Sequence, residues 1–110
     1  MEPAKMGDYQ VVSYIETPEC SLRLLRLGKA QSVQLHYHER TTQIYFVLEG
    51  TVQAMVGTSL KVLAPHQSLR IPPRTPHRIS SEEAALVLSI SIPPLHADDQ
   101  HPLHEPRASR

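Results

Sequence analysis

A chain of 110 residues has room for one domain and one hydrophobic core. Its 11 Lys and Arg residues balance its 11 Asp and Glu residues, so the formal net charge is zero and no basic surface for nucleic-acid phosphates is expected. Cys20 is the only cysteine, which excludes an internal disulfide and a cysteine-based zinc site. No stretch has the apolar length of a signal peptide or a membrane span, so we expect a cytoplasmic protein without membrane or nucleic-acid partners.

The beginning of the chain predicts an N-terminal arm followed by strands. Residues 1–10 are polar and mixed, as in a loose arm, whereas residues 11–15 are β-branched and aromatic and predict a strand. Residues 21–24 alternate between polar and apolar side chains, and the next three residues alternate in the opposite phase. This change of phase predicts a bulge or a bend near Leu24 and Leu25.

Residues 32–38 alternate without a break and contain two histidines two positions apart. One predicted strand face carries Gln34, His36 and His38, and the other carries Val33, Leu35 and Tyr37. Two residues of strand rise separate the histidine Cα atoms by about 6.5 Å, so both imidazoles can reach one ion at metal–nitrogen distances of about 2.1 Å. A single histidine on a strand is usually an ordinary polar residue, but this pair indicates a metal site.

The rest of the chain predicts further strands and no helix. Residues 43–48 are apolar on both faces, which is typical of a strand that is covered on both sides. Short strands follow, separated by turns and by the proline-rich loop 72–76. Seven or eight short strands at this spacing predict an all-β sandwich or barrel over residues 11–94. Residues 95–110 lack apolar periodicity and predict a polar C-terminal tail that lies on the surface or is disordered.

The segment that begins with the two histidines carries the pattern of a known family. It runs from His36 and His38 through Gln43 to Gly50 and resembles the first cupin motif, which reads H-x-H, three or four residues, Glu, six residues, Gly. Gln43 stands where the family usually has Glu. Residues 71–77, which end in a histidine, resemble the second cupin motif, whose final histidine is another metal ligand.

The resemblance covers about residues 22–92 and implies a small cupin of the RmlC-like type. Such a protein is an all-β jelly-roll barrel, also called a double-stranded β-helix, and forms a homodimer. The implied cofactor is one divalent transition metal, which could be Mn, Fe, Ni, Co or Zn. The implied metal ligands are His36, His38, Gln43 and His77.

Glutamine as the fourth ligand changes the charge of the implied site. A glutamate cancels one unit of metal charge, but the carbonyl oxygen of Gln43 is neutral, so the full divalent charge remains and favours a small anionic or chelating ligand. The alternative interpretation of Gln43 is an inward-facing polar residue beside the site. Tyr45 has the same strand parity and is a candidate hydrogen-bond donor or acid, or else a packed aromatic residue.

The chain departs from the second motif at three positions. His66 and Arg74 stand where the family has Gly, and Ser81 stands where it has Asn. Because Gly in such turns provides a positive φ, His66 and Arg74 predict an altered local backbone or some strain. His66 is expected to lie outside the site, on a turn. The remaining histidines fall in the predicted tail: His96, His101 and His104.

The implied function is that of a metalloenzyme. Three histidines and a glutamine are similar to the ligands of the pectin-degradation cupins that linearise unsaturated uronic acids, which implies an isomerase or lyase acting on a sugar acid. The alternatives are an iron-dependent dioxygenase that cleaves a diketone, enediol or thiol, and a cupin that binds a small ligand without turnover. Arginines near the histidine segments could clamp a carboxylate, and at most two are expected to face the pocket: Arg40, Arg70, Arg74 and Arg78.

Overall fold

The computed structural model of the protein describes residues 4–104, and in this part of the chain ten strands form two antiparallel sheets. The first sheet contains, in spatial order, β1 (Gln10–Glu16), β2 (Ser21–Leu27), β9 (Ala85–Ile92), β4 (Thr42–Glu49) and β7 (Ser68–Ile71). The second contains β10 (His101–Pro102), β3 (Ser32–Tyr37), β8 (His77–Ser80), β5 (Val52–Val56) and β6 (Ser59–Leu63). A 3₁₀ helix, Ala97–Asp99, precedes β10. The predicted all-β jelly roll is confirmed.

The core lies between the two sheets because alternate residues of the central strands point inward. In the first sheet Leu25, Val87 and Val47 lie side by side on β2, β9 and β4 and are almost fully buried. The second sheet contributes Val52 and Ile79, both with no exposed surface. Full burial of each such side chain stabilises the fold by about 1.5–3 kcal/mol. Within residues 4–104 no helix is long and apolar enough to cross a membrane.

The predicted bulge in β2 is wrong. Strand β2 pairs with β9 in continuous register, and its inward residues are those at odd positions, from Ser21 to Leu27. The apparent change of phase arises because the inward residues change from polar to apolar part-way along the strand. The irregularity lies instead in the neighbouring strand β1, between Val11 and Ser13, opposite Leu25 and Leu24.

The predicted faces of β3 are only partly correct. His36 and His38 are both buried, but Gln34 is exposed and Val33 points into the core with the histidines. The pairing of β3 with β8 shifts register between Val33 and His36, and this irregularity reverses the alternation. Gln34 therefore does not share the histidine face.

Both ends of the chain lie closer to the barrel than the sequence suggests. Residues 95–110 are predicted as a tail on the surface or disordered, but within this segment Leu95 and Asp99 are buried and β10 pairs with the free edge of β3. This pairing satisfies backbone groups that an edge strand would otherwise leave open. In the expected N-terminal arm, Tyr9 is buried and Gly7 bridges to Val33. Residues 1–3 of the arm and 105–110 of the tail lie outside the described residues.

The two residues that stand where the second motif has glycine keep the backbone conformation of a glycine. His66 has φ 71° and Arg74 has φ 63°, both in the left-handed region. The backbone N–H of Arg74 donates a hydrogen bond of 2.6 Å to the carbonyl of His38, and that of His66 donates one of 2.7 Å to Val47. These bonds hold the turns in a conformation that costs a non-glycine residue about 1–2 kcal/mol. The predicted strain is thus present at both positions.

Candidate metal centre

Three histidines converge at one end of the barrel interior. His36 lies on β3, His38 directly follows that strand, and His77 begins β8 opposite His36. All three are at most 3% exposed. One ring nitrogen from each lies within 4.8 Å of those of the other two. The register shift in β3 and the rigid loop before β8 thus bring together the histidines of the two sequence motifs.

Hydrogen bonds fix the orientation of each imidazole. The Nδ1 atoms of His36, His38 and His77 lie 2.7, 2.7 and 2.9 Å from the backbone carbonyl oxygens of Gln34, Asp99 and Thr75. A carbonyl oxygen only accepts hydrogen bonds, so each Nδ1 carries a proton and donates it. In a neutral ring the other nitrogen, Nε2, then presents a lone pair to the common space.

Burial keeps two of these rings neutral. It lowers the pKa of His36 to about 4, helped by the nearby His38 and opposed by the hydrogen bond to Gln34. Burial likewise lowers the pKa of His77 to about 3, with a further contribution from His36. At neutral pH these Nε2 atoms are therefore free of protons and available as ligands.

Gln43 supplies a fourth donor atom to the same space. Its amide NH₂ group donates to the hydroxyls of Ser89 and Ser91 at 3.0 and 3.3 Å, which turns the carbonyl oxygen toward the histidines. That oxygen, Oε1, lies 2.8 Å from Nε2 of His77 and 3.2 Å from Nε2 of His38. Two ligands bound at about 2.1 Å to one ion are separated by about 3.0–3.4 Å. The two distances from Oε1 are close to this range, and the histidine nitrogens, within 4.8 Å of one another, surround the same space more widely.

The polar side of the interior continues beyond Gln43. Inward residues that pair across β2, β9 and β4 form two polar rows. The first row is Ser21, Ser91 and Gln43, and the second is Arg23, Ser89 and Tyr45. The next row along the strands is apolar. A cavity of about 20 Å³, room for about one water, lies against Arg23, His36, Gln43, Tyr45 and Ser89. The barrel is therefore divided into a polar half and an apolar half.

The sequence pattern of the cupin domain matches residues 23–91, which is more than half of the chain. The chain belongs to the cupin family. A 28% identical structure, TT1209 from Thermus thermophilus, superposes on this cupin with a TM-score of 0.73 and matches 86% of this chain and 89% of its own.

Two further structures are similar in fold. KdgF from a Halomonas species is 23% identical, with a TM-score of 0.73, and the match covers 83% of this cupin and 89% of KdgF. An RmlC-like cupin from Shewanella frigidimarina is 19% identical, with a TM-score of 0.69, over 79% of this chain and 84% of the other. A sequence comparison aligns 54 residues of this chain, at 39% identity, with part of a Vibrio cholerae protein named "Putative mannose-1-phosphate guanylyltransferase". That match spans 49% of this cupin and only 11% of the longer protein.

Asp99 supports the site from the chain segment that was expected to be a tail. Its backbone carbonyl accepts the hydrogen bond from His38, and its carboxylate accepts the backbone N–H groups of Glu39 and Arg40 at 2.7 and 3.1 Å. Burial alone would raise the pKa of Asp99, but these two hydrogen bonds and the charge of Arg40 hold it below the ordinary value of 3.8. His101 adds a contact of 3.3 Å to the same carboxylate. No sequence signal near the histidine motifs points to this residue.

Of the other predicted site residues, Tyr45 lies beside Gln43 and the arginines lie elsewhere. Tyr45 is 1% exposed, and its hydroxyl lies 3.4 Å from Oε1 of Gln43. The four arginines near the histidine segments do not line the cavity. Arg70 and Arg74 are exposed, and the guanidinium of Arg40 pairs with Asp98 at 3.1 Å. Arg78 lies between the inward residues His77 and Ile79 of β8, so its side chain points outward. Arg23, to which no sequence motif pointed, lines the cavity instead. Exposed His66 and His96 lie away from the cluster.

Proposed function

We propose that this cupin binds one divalent transition-metal ion through His36, His38, His77 and Gln43 and acts on a small anionic substrate of the sugar-acid type. The observation that carries the proposal is the convergence of four donor atoms. Oε1 of Gln43 lies 2.8 Å from Nε2 of His77 and 3.2 Å from Nε2 of His38, and the ring nitrogens of the three histidines lie within 4.8 Å of one another. The lone pairs of the neutral His36 and His77 rings and of the carbonyl oxygen repel one another, and a cation would remove this repulsion.

The charge of the ligand set supports an anionic substrate. The three imidazoles are neutral when they bind a metal and Gln43 is an amide, so none of these four ligands cancels the divalent charge. In a water-poor interior that charge attracts carboxylate or enolate oxygens more strongly than neutral hydroxyls. The ligand set alone suits Mn, Fe, Ni, Co or Zn.

The resemblance to the pectin-degradation cupins supports an isomerase or lyase reaction. A bound ion supplies Lewis acidity, which polarises a carbonyl or hydroxyl of the substrate. Burial raises the pKa of the Tyr45 hydroxyl, so this group stays protonated and donates to Gln43 rather than acting as a base. Tyr45 is therefore a positioning residue for the fourth ligand.

The raised pKa of Tyr45 also favours a second candidate, a cupin that binds a small acid without turnover. Among the residues that line the cavity, Tyr45 was the candidate acid, and its raised pKa makes the hydroxyl a weak proton donor. Absorbance assays on unsaturated uronates test the isomerase or lyase, and oxygen uptake by the Fe(II)-loaded protein with diketones and thiols tests the dioxygenase. Carboxylates that raise the melting temperature without any turnover would favour the binding role.

Calorimetric titration of chelator-treated protein with Ni²⁺ and Mn²⁺ tests the metal site. We expect one ion per chain, and we expect His36→Ala and His77→Ala each to weaken binding by more than about 100-fold, the upper cost of losing an outer partner of a metal ligand. His96→Ala is the matched control because His96 is exposed and outside the cluster. A wild-type protein that binds no ion, or a control that weakens binding equally, would contradict the proposal.

The homodimer implied by the family resemblance has a suitable surface on the first sheet. Two apolar rows cross the outer face of β2, β9 and β4, and they consist of Leu22, Ile90 and Ile44, then Leu24, Leu88 and Phe46. These side chains are only partly buried in the single chain. A contiguous apolar face of this kind on a 110-residue chain is typical of a surface covered by a partner.

Light scattering after size exclusion tests this assembly. We expect a wild-type mass of two 12.4 kDa chains, and a single-chain mass for Leu24→Asp. Leu60→Asp is the control because Leu60 is 64% exposed on the other sheet. A monomeric wild-type protein, or a dimer that tolerates Leu24→Asp, would exclude this surface.

A further inference from the structure

The candidate metal centre is closed to solvent. His36, His38 and His77 are at most 3% exposed. The cavity beside His36 and Gln43 has a volume of about 20 Å³, which is room for about one water. A hydrated metal ion and a sugar acid are both larger than this space. Part of the protein around the centre must therefore move before either of them can enter.

Residues 96–103 form a strap across this end of the barrel. The backbone carbonyl of Asp99 accepts the hydrogen bond of 2.7 Å from Nδ1 of His38, so the strap touches one of the candidate ligands directly. Gln100 lines the cavity, and its side-chain amide donates a hydrogen bond of 3.0 Å to the carbonyl of Ala4. The strap therefore covers both the histidine cluster and the cavity beside it.

Hydrogen bonds, and not apolar packing, hold the strap in place. Within residues 96–103 Asp99 is the only buried side chain. Strand β10 has two residues, and the next N–H group, that of Leu103, donates a hydrogen bond of 3.0 Å to the carbonyl of Leu35. Opening the strap breaks hydrogen bonds that water can replace and exposes almost no apolar surface. Segments of this kind open locally more readily than a packed core.

Two neighbouring segments are fixed more firmly than the strap. The loop 72–76 contains three prolines, and the N–H of Arg74 within it donates a hydrogen bond of 2.6 Å to the carbonyl of His38. Leu95, directly before the strap, is 6% exposed, and its N–H donates a hydrogen bond of 2.9 Å to the hydroxyl of Ser21. Leu95 thus anchors the chain, and the strap can swing about the residue that follows it.

We propose that the strap is a lid, which opens to admit the metal ion and the substrate and closes over them. Closing returns the carbonyl of Asp99 to His38, so the same movement that excludes water also sets the orientation of a ligand ring. The proposal rests on the proposed function and adds how the ligands of that site reach it.

A reversible cross-link between the strap and β3 tests the lid. Tyr37 and His101 lie directly opposite each other, and their rings stack at 4.8 Å. Opposite residues of an antiparallel pair have Cα atoms about 4.5–5.5 Å apart, which suits a disulfide. The variant is Tyr37→Cys with His101→Cys, in a Cys20→Ser background. The matched control is Met55→Cys with Leu60→Cys, an exposed pair on β5 and β6.

Stopped-flow measurements follow the uptake of Ni²⁺ by the chelator-treated protein and the release of bound Ni²⁺ to EDTA. Each variant is measured with its disulfide formed and again after reduction and removal of the reductant. The disulfide on the strap should slow both uptake and release by at least about 10-fold, and reduction should restore both rates. The control disulfide should change neither rate by more than about twofold, because it leaves the strap free.

Amide hydrogen exchange of the wild-type protein gives a measurement that needs no variant. The N–H groups of Glu39 and Arg40 donate to the carboxylate of Asp99, and that of Leu103 donates to Leu35. All three lose their partners when the strap opens. They should therefore exchange together, faster than the N–H groups of the central strand β9, and Ni²⁺ should slow their exchange.

The outcomes separate the lid from the proposed function. If the disulfide on the strap leaves the Ni²⁺ rates unchanged, or the three N–H groups exchange no faster than those of β9, the strap is not a lid and the metal site stands. If the wild-type protein binds no Ni²⁺ but the three groups exchange ahead of β9, the metal site is wrong and the mobile strap stands. If no Ni²⁺ binds and the three groups exchange only with β9, both proposals are overturned.

Discussion

The neutral buried histidines should make the stability of the metal-free protein strongly dependent on pH. In the unfolded chain both His36 and His77 titrate near 6.5, whereas in the folded protein the pKa values are about 4 and about 3. Above pH 6.5 both groups are neutral in both states, and the stability is fully present. Below pH 6.5 the unfolded chain takes up protons that the folded chain refuses, so the free energy of unfolding falls.

The size of this effect follows from the two pKa differences. A fall from 6.5 to about 4 for His36 corresponds to about 3 kcal/mol, and a fall from 6.5 to about 3 for His77 corresponds to about 5 kcal/mol. Two protons taken up together give a slope of about 2.7 kcal/mol per pH unit between pH 6 and pH 4. A domain of this size is stable by about 5–15 kcal/mol, so the metal-free protein should unfold at mildly acidic pH.

Urea unfolding in the presence of EDTA, followed by far-UV circular dichroism from pH 8 to pH 5, measures this slope. We expect a flat region above pH 7 and a steep loss below pH 6. His77→Gln should halve the slope, and His96→Ala, at an exposed position, should leave it unchanged. A wild-type slope below about 1.4 kcal/mol per pH unit in the acidic region, the value for one proton, would refute the reasoning.

Three further substitutions test the parts of the site. Asp99→Ala should weaken metal binding by about 10–100-fold in calorimetry because it releases the segment whose carbonyl orients a ligand, and Asp98→Ala at an exposed position should not. Gln43→Glu should strengthen metal binding and weaken the binding of small carboxylates, each by about 10-fold or more, and unchanged affinities would argue against a neutral fourth ligand. Arg74→Gly should raise the free energy of urea unfolding by about 1 kcal/mol since φ is 63°, whereas Arg70→Gly, within a strand, should lower it.

The fold and the histidine cluster could be predicted because their signals are local or follow a fixed spacing. Alternation of polar and apolar residues located most strands, and the spacing of His36 and His38 on one strand placed both rings in one region. The final histidine of the second motif, His77, was assigned by family resemblance, and the structure brings it to the other two. The structure explains the glycine that ends the first motif. Gly50 has a φ of 79°, and a Cβ atom there would lie 2.4 Å from the backbone oxygen of Ala84, so no other residue fits.

The rest of the site could not be predicted because its signals resemble those of other structures. An inward arginine after an inward serine looks like a strand that has changed phase, so the sequence predicted a bulge near Leu24 and Leu25 and did not point to Arg23. The contribution of Asp99 to His38 is made by its backbone carbonyl, which every residue type carries, across 61 positions of the chain. The reversal of alternation at Gln34 depends on the register against β8, which no local pattern encodes.

The division of the interior into an apolar and a polar half leads us to expect that folding and metal binding are coupled in this cupin. Rows of Leu and Val side chains in one half stabilise the barrel, whereas the other half holds imidazoles, an amide and a guanidinium that lose their hydration on folding. Backbone carbonyls satisfy the Nδ1 atoms, but the Nε2 atoms face one another and gain a favourable partner only from a cation or a proton. Because burial suppresses protonation of His36 and His77, a cation is the partner compatible with the folded state at neutral pH. If the proposed site binds its metal, free metal at 100 times the dissociation constant should add about 2.7 kcal/mol to the stability and offset part of the loss expected in acid.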